Sequence, residues 1–205
     1  MTRVYLIRHG ETSYNRDNVG LGRADIPLTE MGRRQSMLAV DYLKTIKFTA
    51  IYTSPARRAG YLADLLAQQG DLIPEYLSSL VEMDVGETEG MHLSDVAKRF
   101  PDFMKEWRSI NQTRIPMPGG ESLTDVQQRV NFIFSILKSY TDGNIAVVSH
   151  NFVLKILLCK LLNLEIASFN SIVLSLASIS VIEMLPYPRI SSLNETCYLE
   201  GASTG

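Results

Sequence analysis

Two of the chain's three histidines and a pair of arginines stand just after short apolar runs. The runs and the residues that follow them are Val4–Ile7 before Arg8-His9, Ala50–Tyr52 before Arg57-Arg58, and Ile145–Val148 before His150-Asn151. Guanidinium and imidazole groups that meet in one place bind a doubly charged oxyanion well, because each charge-assisted hydrogen bond from an arginine contributes about 1.5–3 kcal/mol. If the three runs end at one edge of a sheet, they predict a site for a tetrahedral anion, most simply phosphate.

The same residue types disfavour a metal centre. The arginines beside the histidines would repel a divalent cation, and the sequence contains no His-x-x-x-His pair. Cys159 and Cys197 lie far apart without metal-ligand spacing, and we expect them to be buried, reduced thiols. We therefore expect neither a metal nor another cofactor.

Strands and helices alternate in the predicted elements that position these residues. The three runs are continuously apolar and rich in Val, Ile and Tyr, which is typical of parallel strands covered on both faces. Helical spacing of apolar residues follows in four segments: Leu38–Ile46, Arg57–Gln69, Leu123–Tyr140 and Asn151–Leu162. This order predicts an α/β protein, a three-layer α/β/α sandwich with a mostly parallel sheet, whose ligands bind at the carboxyl ends of the strands.

Two predicted helix starts lie at the expected anion site. Ser54 is a good N-cap and Pro55 a favourable first helical residue, so that Arg58 falls in the first turn, while Asn151 begins the helix after His150. Free N–H groups and the positive end of the helix dipole favour an anion at such positions. Ser122 and Asp125 form a third helix start, a predicted capping box.

The remaining segments predict an edge and a cover for the sheet. Leu174–Met184 and Leu193–Leu199, separated by a Pro-Tyr-Pro turn, are expected to form an edge pair of strands. His92–Pro118, with its aromatic residues and prolines, is expected to be a helical flap over the carboxyl ends of the strands. The length of 205 residues fits one domain over residues 1–205.

Composition narrows the possible partners. The chain carries 20 Lys+Arg against 22 Asp+Glu, a net charge of −2, which disfavours bulk binding to nucleic acid or to an anionic membrane. The apolar run after Met1 is too short for a signal peptide, and no run is long enough to span a membrane, so we expect a cytoplasmic protein. The apolar final strand pair leaves a homodimer possible.

Several motifs resemble those of the histidine phosphatase superfamily, also called the phosphoglycerate mutase-like family. The first is Leu6-Ile7-Arg8-His9-Gly10-Glu11-Thr12, followed by Asn15. The others occur in the family's order along nearly the whole chain: Asp25-x-Pro27-Leu28-Thr29 with Gly32 and Gln35, Ser54-Pro55 with Arg58-Ala59, Glu82 with Gly86, Glu89 and Gly90, Gly119–Ser122, and Val147–His150. The Arg-His-Gly triplet alone would be weak evidence for this family, whereas the complete set of motifs in this order is specific to it.

The resemblance implies a role for each matched residue. His9 would attack phosphorus and carry a phosphohistidine that water then hydrolyses, and Arg8 should favour its neutral form. Glu82 would be the general acid, which requires a raised pKa. The catalytic set that the resemblance implies is His9, Glu82, Arg8, Arg58 and His150. The groups expected to hold phosphate or substrate are Arg8, Asn15, Gly22, Arg58, His150 and Asn151.

Other residues leave alternatives open. Asp84, Glu87 and Glu89 would raise the pKa of Glu82 if they face it, and the arginines would lower it; this acidic stretch also fits a solvated loop. Four flap residues at helical spacing, more often core than binding residues, are Phe100, Phe103, Met104 and Trp107. His92, Arg108 and Arg114 are expected at the surface, with contact to substrate left open.

The resemblance implies a metal-independent hydrolase that acts on a small phosphomonoester. The similarity is to phosphoserine, α-ribazole-5′-phosphate and broad-specificity phosphatases of the family. A phosphoglycerate mutase is an alternative, although Glu82-Met83-Asp84-Val85-Gly86 follows the phosphatase pattern. A phosphate-binding module without catalysis would be expected to lack His9, Glu82 or an arginine. Val19 and Leu21 depart from the family pattern, and they make the site entrance less basic and more apolar.

Overall fold

The structure is a computed structural model that describes residues 1–109, 112–184 and 186–202. In this part of the chain a six-stranded sheet has the order β3-β2-β4-β1-β5-β6. Its strands are β1 (Thr2–Arg8), β2 (Phe48–Thr53), β3 (Glu75–Tyr76), β4 (Gly143–Ser149), β5 (Ile179–Met184) and β6 (Arg189–Glu195). The first four strands pair in parallel, β5 runs antiparallel to β1, and β6 runs antiparallel to β5.

Helices cover both faces of the sheet. They are α1 (Ser13–Arg16), α2 (Glu30–Tyr42), α3 (Arg57–Gly70), α4 (Leu93–Arg99), α5 (Pro101–Trp107), α6 (Leu123–Arg129), α7 (Asn131–Ser139) and α8 (Asn151–Leu161). Short 3₁₀ helices lie at Ser78–Leu80, Gly86–Thr88, Gln112–Arg114, Ile166–Ser171 and Cys197–Ala202. None of the helices in the described residues is long and apolar enough to cross a membrane.

Alternate residues of the strands belong to two separate hydrophobic cores, one on each face of the sheet. Val4 and Leu6 of β1 pack with α6, α7 and α8 on one face, whereas Tyr5 and Ile7 pack with α2 and α3 on the other. Successive side chains of a strand point to opposite faces, so a continuously apolar strand must be covered twice. The predicted three-layer sandwich with a mostly parallel sheet is confirmed, and the three predicted strands are each a few residues longer at one or both ends.

The predicted helix over Leu123–Tyr140 is two helices. Its apolar stripe is core as expected, with Val126, Val130 and Ile133 fully buried. At Val130, however, the backbone N–H is shared between the carbonyls of Val126 and Gln128, which tightens the turn and separates α6 from α7. The capping box of Ser122 and Asp125 at the start of α6 is confirmed. In a similar way α2 ends at Tyr42, so Ile46 lies beyond it in the turn before β2.

The prediction that Ser54 caps α3 is wrong. The helix begins at Arg57 with Ala56 as its N-cap, and no side chain caps it. Pro55 therefore precedes the helix, although Arg58 does lie in its first turn as expected. The Ser54 hydroxyl instead contacts His150 at 2.8 Å and accepts from the backbone N–H of Ala56 at 3.2 Å, so it joins His150 to the loop before α3.

The predicted edge pair is confirmed, with shifted bounds. The strands are β5 and β6, and the segment Leu174–Ser178 before β5 is a loop because its backbone groups bind the end of β1 instead of a neighbouring strand. Residues 197–202 form a 3₁₀ helix beyond β6, and Cys197 at its start is exposed, contrary to expectation, whereas Cys159 is buried as expected.

The segment from residue 92 to residue 118 is helical as expected. It contains α4, α5 and the 3₁₀ helix Gln112–Arg114, while residues 110 and 111 lie outside the described part. Side chains of this flap share a cavity with Arg8 at the carboxyl end of β1. The flap therefore lies over the edge of the sheet where the predicted site residues are placed.

Candidate active site

His9 stands directly after β1, with its ring fixed by its own backbone neighbour. Its Nδ1 atom is 2.7 Å from the carbonyl oxygen of Gly10, and because a carbonyl can only accept, Nδ1 carries the proton. Nε2 therefore holds the lone pair of the neutral ring. Gly10 allows this close turn because the backbone of Gly32 in α2 occupies the space that a Cβ would need.

The surroundings of His9 keep its ring neutral. The side chain is buried, and burial is the main reason that its pKa lies well below the usual value of 6.5. Arg8 and then Arg58 lower that pKa further, whereas the hydrogen bond to Gly10 opposes them. The expected effect of Arg8 is therefore confirmed in direction, second to burial. A neutral imidazole with a free nitrogen is the form that acts as a nucleophile.

Arg58 is locked in place by three hydrogen bonds. Its Nη1 donates to the carbonyl of Ala24 at 2.6 Å, its Nη2 donates to the carbonyl of Gly22 at 2.7 Å, and its Nε donates to Nδ1 of His150 at 3.3 Å. The side chain is 1% exposed, and burial lowers its pKa, but a guanidinium stays protonated in proteins. These contacts fix the plane of a permanent positive charge and leave one N–H on each terminal nitrogen for another partner.

His150 joins Arg58 to Ser54 just before α8. Nδ1 of its ring accepts from Arg58, so Nε2 of the neutral ring carries the proton and donates to the Ser54 hydroxyl at 2.8 Å. The rings of His150 and His9 meet edge to face with their centroids 5.0 Å apart. Burial lowers the pKa of His150 well below 6.5, and the neighbouring histidine and arginines act in the same direction.

Arg8 is held at one nitrogen and unpartnered at another. Its Nη1 donates to the carbonyl of Leu174 at 2.6 Å, in the loop before β5. Its Nε is buried and has no hydrogen-bond partner among the described residues. A buried donor without a partner costs about 1–3 kcal/mol, so a site that keeps one is suited to an anionic ligand. Burial lowers the pKa of Arg8, and the Glu82 carboxylate opposes that shift.

Glu82 is a buried carboxyl group between two backbone donors. Its Oε1 accepts from the N–H of Met83 at 2.8 Å, and its Oε2 lies 3.3 Å from the N–H of Phe152 in the first turn of α8. Burial raises the pKa of Glu82 above 4.5, while these two N–H groups and the arginines at positions 8 and 58 act against it. The sequence left the sign of this shift open, and burial decides it.

The neighbouring carboxylates have partners of their own. Glu89 accepts from the backbone N–H groups of Gly22 and Ala24, at 2.7 and 3.1 Å from its Oε1. Glu87 pairs with Arg99, and Asp84 lies 3.8 Å from Arg23. None of these three acids is among the causes of the raised pKa of Glu82. The acidic stretch is therefore neither one charged cluster around Glu82 nor a uniformly solvated loop.

The three remaining residues expected to bind phosphate or substrate have different surroundings. Asn15 uses its Oδ1 to accept from the N–H (3.1 Å) and the hydroxyl (2.9 Å) of Thr12, which leaves its NH₂ group for other partners. Gly22 uses both backbone groups, its N–H for Glu89 and its carbonyl for Arg58. Asn151 is the half-buried first residue of α8.

Two cavities flank the cluster. One, of about 640 Å³, lies under the flap and is lined by Arg8 and Asn15 together with mainly apolar residues; we call it the flap cavity. The other, of about 450 Å³, is lined by Arg58 and Glu82 with Gly22, Asp25 and Ser78. The predicted catalytic groups therefore stand between two spaces that differ in charge, because the second is lined by Arg23, Asp25, Arg58 and Glu82 and the flap cavity, in the described residues, by Arg8 alone.

The flap residues divide by position. Phe103, Met104 and Trp107 line the flap cavity; Met104 is also buried and Trp107 packs against the core, as the preference for core positions predicts, and contact with substrate stays a prediction. His92, Arg108 and Arg114 are exposed and are not among the residues that line the flap cavity. Phe100 lines a separate, shallower cavity.

Sequence reasoning missed several groups that shape the site. The carbonyls of Leu174, Gly22 and Ala24, which hold the two arginines, carry no sequence signal because any residue has a carbonyl. Phe152 and Leu176 line the flap cavity, whereas their sequence patterns predict only a helix face and a strand. Glu89 did stand in a matched motif, and this was the one available signal for its place beside the site.

The described residues contain no group of three or more His, Cys, Asp or Glu side chains placed to hold a metal ion. Instead, the Arg8 and Arg58 guanidinium groups, which are N–H donors, lie close enough to His9 to lower its pKa, and the ring of His150 contacts that of His9. Such donors suit an oxyanion with charge spread over several oxygens.

Comparison with known proteins supplies the family. The family model described as "Histidine phosphatase superfamily (branch 1)" matches residues 4–196. The chain belongs to the histidine phosphatase superfamily. It is a phosphatase, a phosphoric monoester hydrolase, and the resemblance of its motifs is thereby confirmed.

Curated and solved relatives agree with this placement in the histidine phosphatases. Phosphoserine phosphatase 1 of Hydrogenobacter thermophilus is 30% identical over 201 residues, 97% of this chain and 95% of that protein. The adenosylcobalamin/α-ribazole phosphatase of Salmonella typhimurium is 32% identical over 167 residues, 81% of this chain and 82% of its own length. The crystal structure of a putative α-ribazole-5′-P phosphatase from Escherichia coli superposes with a TM-score of 0.86 at 27% identity and covers 95% of this chain and 96% of that one.

Proposed function

We propose that this histidine phosphatase hydrolyses small phosphomonoesters without a metal ion, through a phosphohistidine on His9. One observation carries the proposal. Nδ1 of His9 is committed to the Gly10 carbonyl, so the lone pair of the neutral ring lies on Nε2, and Arg8 and Arg58 are near enough to lower the pKa of that ring. A nucleophilic nitrogen beside two permanent positive charges is what phosphoryl transfer requires.

In the first step, the Nε2 lone pair forms a bond to phosphorus while the bond from phosphorus to the ester oxygen breaks. The departing oxygen takes a proton from the Glu82 carboxyl, so the alcohol leaves neutral and Glu82 becomes a carboxylate. Arg8 and Arg58, with the Asn15 amide, hold the equatorial oxygens as charge spreads over them, while His150, whose two ring nitrogens contact Arg58 and Ser54, holds the Arg58 guanidinium in position. The raised pKa of Glu82 supports this role because it keeps the acid protonated at higher pH.

The second step returns the enzyme to its starting state. Water enters where the alcohol left, and the Glu82 carboxylate takes its proton as the oxygen bonds to phosphorus and the bond to Nε2 breaks. Inorganic phosphate is released, His9 is neutral again, and Glu82 is protonated again. The names of the relatives support small phosphorylated metabolites as the substrate class.

Steady-state hydrolysis of p-nitrophenyl phosphate in the presence of EDTA tests the proposal. We expect His9→Gln to lower kcat by at least about 1,000-fold, as loss of a nucleophile does in other enzymes. His92→Gln is the matched control, since this third histidine is exposed, and it should retain full activity. An enzyme inactivated by EDTA, or one that tolerates His9→Gln, would overturn the proposal.

A further inference from the structure

The lining of the flap cavity indicates which kind of alcohol the substrate contains, an inference that rests on the proposed function. We propose that the preferred leaving group is an uncharged, apolar group of aromatic size that is seated in the flap cavity. The phosphate would lie at the inner end, beside Arg8, and the organic part would extend beneath α4 and α5.

The lining of the flap cavity is apolar except at one end. Of the eighteen described residues that line it, twelve are apolar, and Arg8 carries the only charged side chain. The other polar lining side chains are uncharged: the Thr88 hydroxyl donates to the Val85 carbonyl at 2.7 Å, the Asn15 oxygen accepts from Thr12, and Tyr14 and Asn18 contribute a hydroxyl and an amide. A carboxylate or ammonium on the leaving group would find no oppositely charged side chain here, since Arg8 is needed at the phosphate.

The shape of the cavity suits a ring. Its volume of about 640 Å³ falls in the range of small-molecule sites, which are about 300–1,000 Å³. On the flap side, the rings of Phe103 and Trp107 lie 5.5 Å apart at an interplanar angle of 33°, and Met104 lines the same cavity. Aromatic and methionine side chains give large apolar contact area and favourable contacts with a bound ring.

Phe152 connects this cavity to the chemistry. Its backbone N–H lies 3.3 Å from Oε2 of Glu82, while its side chain lines the flap cavity. The acid that protonates the departing oxygen and the wall that would hold the organic group therefore meet at the first turn of α8. A leaving group that packs on Phe152 is placed with its oxygen on the side of Glu82.

Charged leaving groups should be disfavoured by desolvation. Serine and glycerate leaving groups bear a carboxylate, and moving it against these walls without a partner removes its hydration. To separate desolvation from the intrinsic reactivity of the ester, the compared substrates should release alcohols of similar basicity. The comparison therefore uses 2-phenylethyl phosphate against phosphoserine and 3-phosphoglycerate. We expect kcat/KM for 2-phenylethyl phosphate to be at least about 100-fold higher.

Two variants test whether the flap cavity causes the preference for an apolar leaving group. Trp107→Ala should lower kcat/KM for 2-phenylethyl phosphate about tenfold and leave that for methyl phosphate unchanged. Leu21→Lys, at a half-buried lining position, should raise kcat/KM for 3-phosphoglycerate and lower it for the phenylethyl ester. Leu164→Lys, on an exposed leucine outside the cavity, is the control and should change neither.

Binding measurements test the apolar character of the flap cavity independently of the reaction. Calorimetry with a non-hydrolysable phenylpropyl phosphonate and with the phosphonate analogue of phosphoserine reports on the cavity whether or not turnover occurs. Turnover with phosphoserine or 3-phosphoglycerate equal to or better than the phenylethyl ester would overturn the apolar assignment and leave the proposed function intact. If no ester is turned over but the apolar phosphonate binds more tightly, the proposed function is overturned and the apolar assignment of the cavity is kept.

Discussion

Burial acts in opposite directions on the two titratable groups that the proposed reaction needs. It lowers the pKa of His9 and raises that of Glu82, because in each case it disfavours the charged form. A neutral imidazole and a neutral carboxyl can therefore coexist over a range of pH that free side chains would not share. The two arginines help the first group and hinder the second, so burial has to outweigh them at Glu82.

The role of Glu82 predicts a specific pH profile. As pH rises through the raised pKa of Glu82, the acid loses its proton, so kcat/KM for an alkyl phosphate should fall on the alkaline side. Glu82→Gln should abolish that limb and lower kcat about 10²- to 10⁴-fold for the alkyl ester. Cleavage of p-nitrophenyl phosphate to release the first equivalent of nitrophenol should be affected much less, since nitrophenol leaves without a proton. Stopped-flow and pH–rate measurements check both statements, and an unchanged alkaline limb in Glu82→Gln would assign it to another group.

At the scale of elements, the loop at residues 22–24 links Glu89 to the predicted phosphate clamp. The Glu89 carboxylate holds the N–H groups of Gly22 and Ala24, and the carbonyls of the same two residues hold Arg58. The orientation of one buried guanidinium thus depends on a carboxylate from a different segment. We infer that Glu89 is a positioning residue for Arg58.

Substitution at Glu89 should weaken phosphate binding without unfolding the protein. Glu89→Gln replaces charge-assisted acceptance by a weaker amide contact, and we expect about a tenfold loss of kcat/KM and a similar rise in the Ki of inorganic phosphate, equivalent to about 1.4 kcal/mol. Glu87→Gln, whose carboxylate pairs with an exposed Arg99, is the matched control. If Glu89→Gln lowers the free energy of unfolding but leaves the phosphate Ki unchanged, its role is purely structural.

At the scale of the whole molecule, the buried histidines couple stability to pH. The unfolded chain takes up protons at His9 and His150 as pH falls below about 6.5, whereas the folded chain resists because both pKa values are lowered. Stability is therefore present above pH 6.5 and lost below it, by at most about 1.4 kcal/mol per pH unit for each histidine. The raised pKa of Glu82 opposes this loss at lower pH, where the folded state takes up its proton first.

Urea unfolding at pH 7.5 and pH 5.5 measures this coupling. We expect the wild type to lose stability on acidification and His9→Gln to lose less, because one of the two histidines is gone. His92→Gln should behave like the wild type, since that histidine is exposed. A wild-type stability that is constant or rises between these two pH values would contradict the account of the buried rings.

Sequence patterns predicted a mostly parallel sheet, three of its strands and the residues at their carboxyl ends, because continuous apolar runs and alternation with helices are local properties. They did not predict the order of the strands in the sheet or the short strand β3. They did not predict where Arg8 and Arg58 are anchored, since the Leu174, Gly22 and Ala24 carbonyls come from distant loops. The Ser54 cap was wrong for the same reason: a local rule assigned the hydroxyl to its own helix, whereas His150 from another strand end takes it. The polarity of the flap cavity likewise depends on which faces of α4 and α5 turn inward.

The phosphohistidine on His9 is the central claim, and trapping it is the most direct test. Glu82→Gln should accept the phosphoryl group from ³²P-labelled p-nitrophenyl phosphate, since nitrophenol needs no acid, yet lack the base that activates water, so the intermediate accumulates. We predict a burst of one nitrophenol per chain, with an acid-labile, alkali-stable label that maps to His9 and is absent from His9→Gln. Release of nitrophenol without a label, or a label on any residue other than His9, would contradict this account.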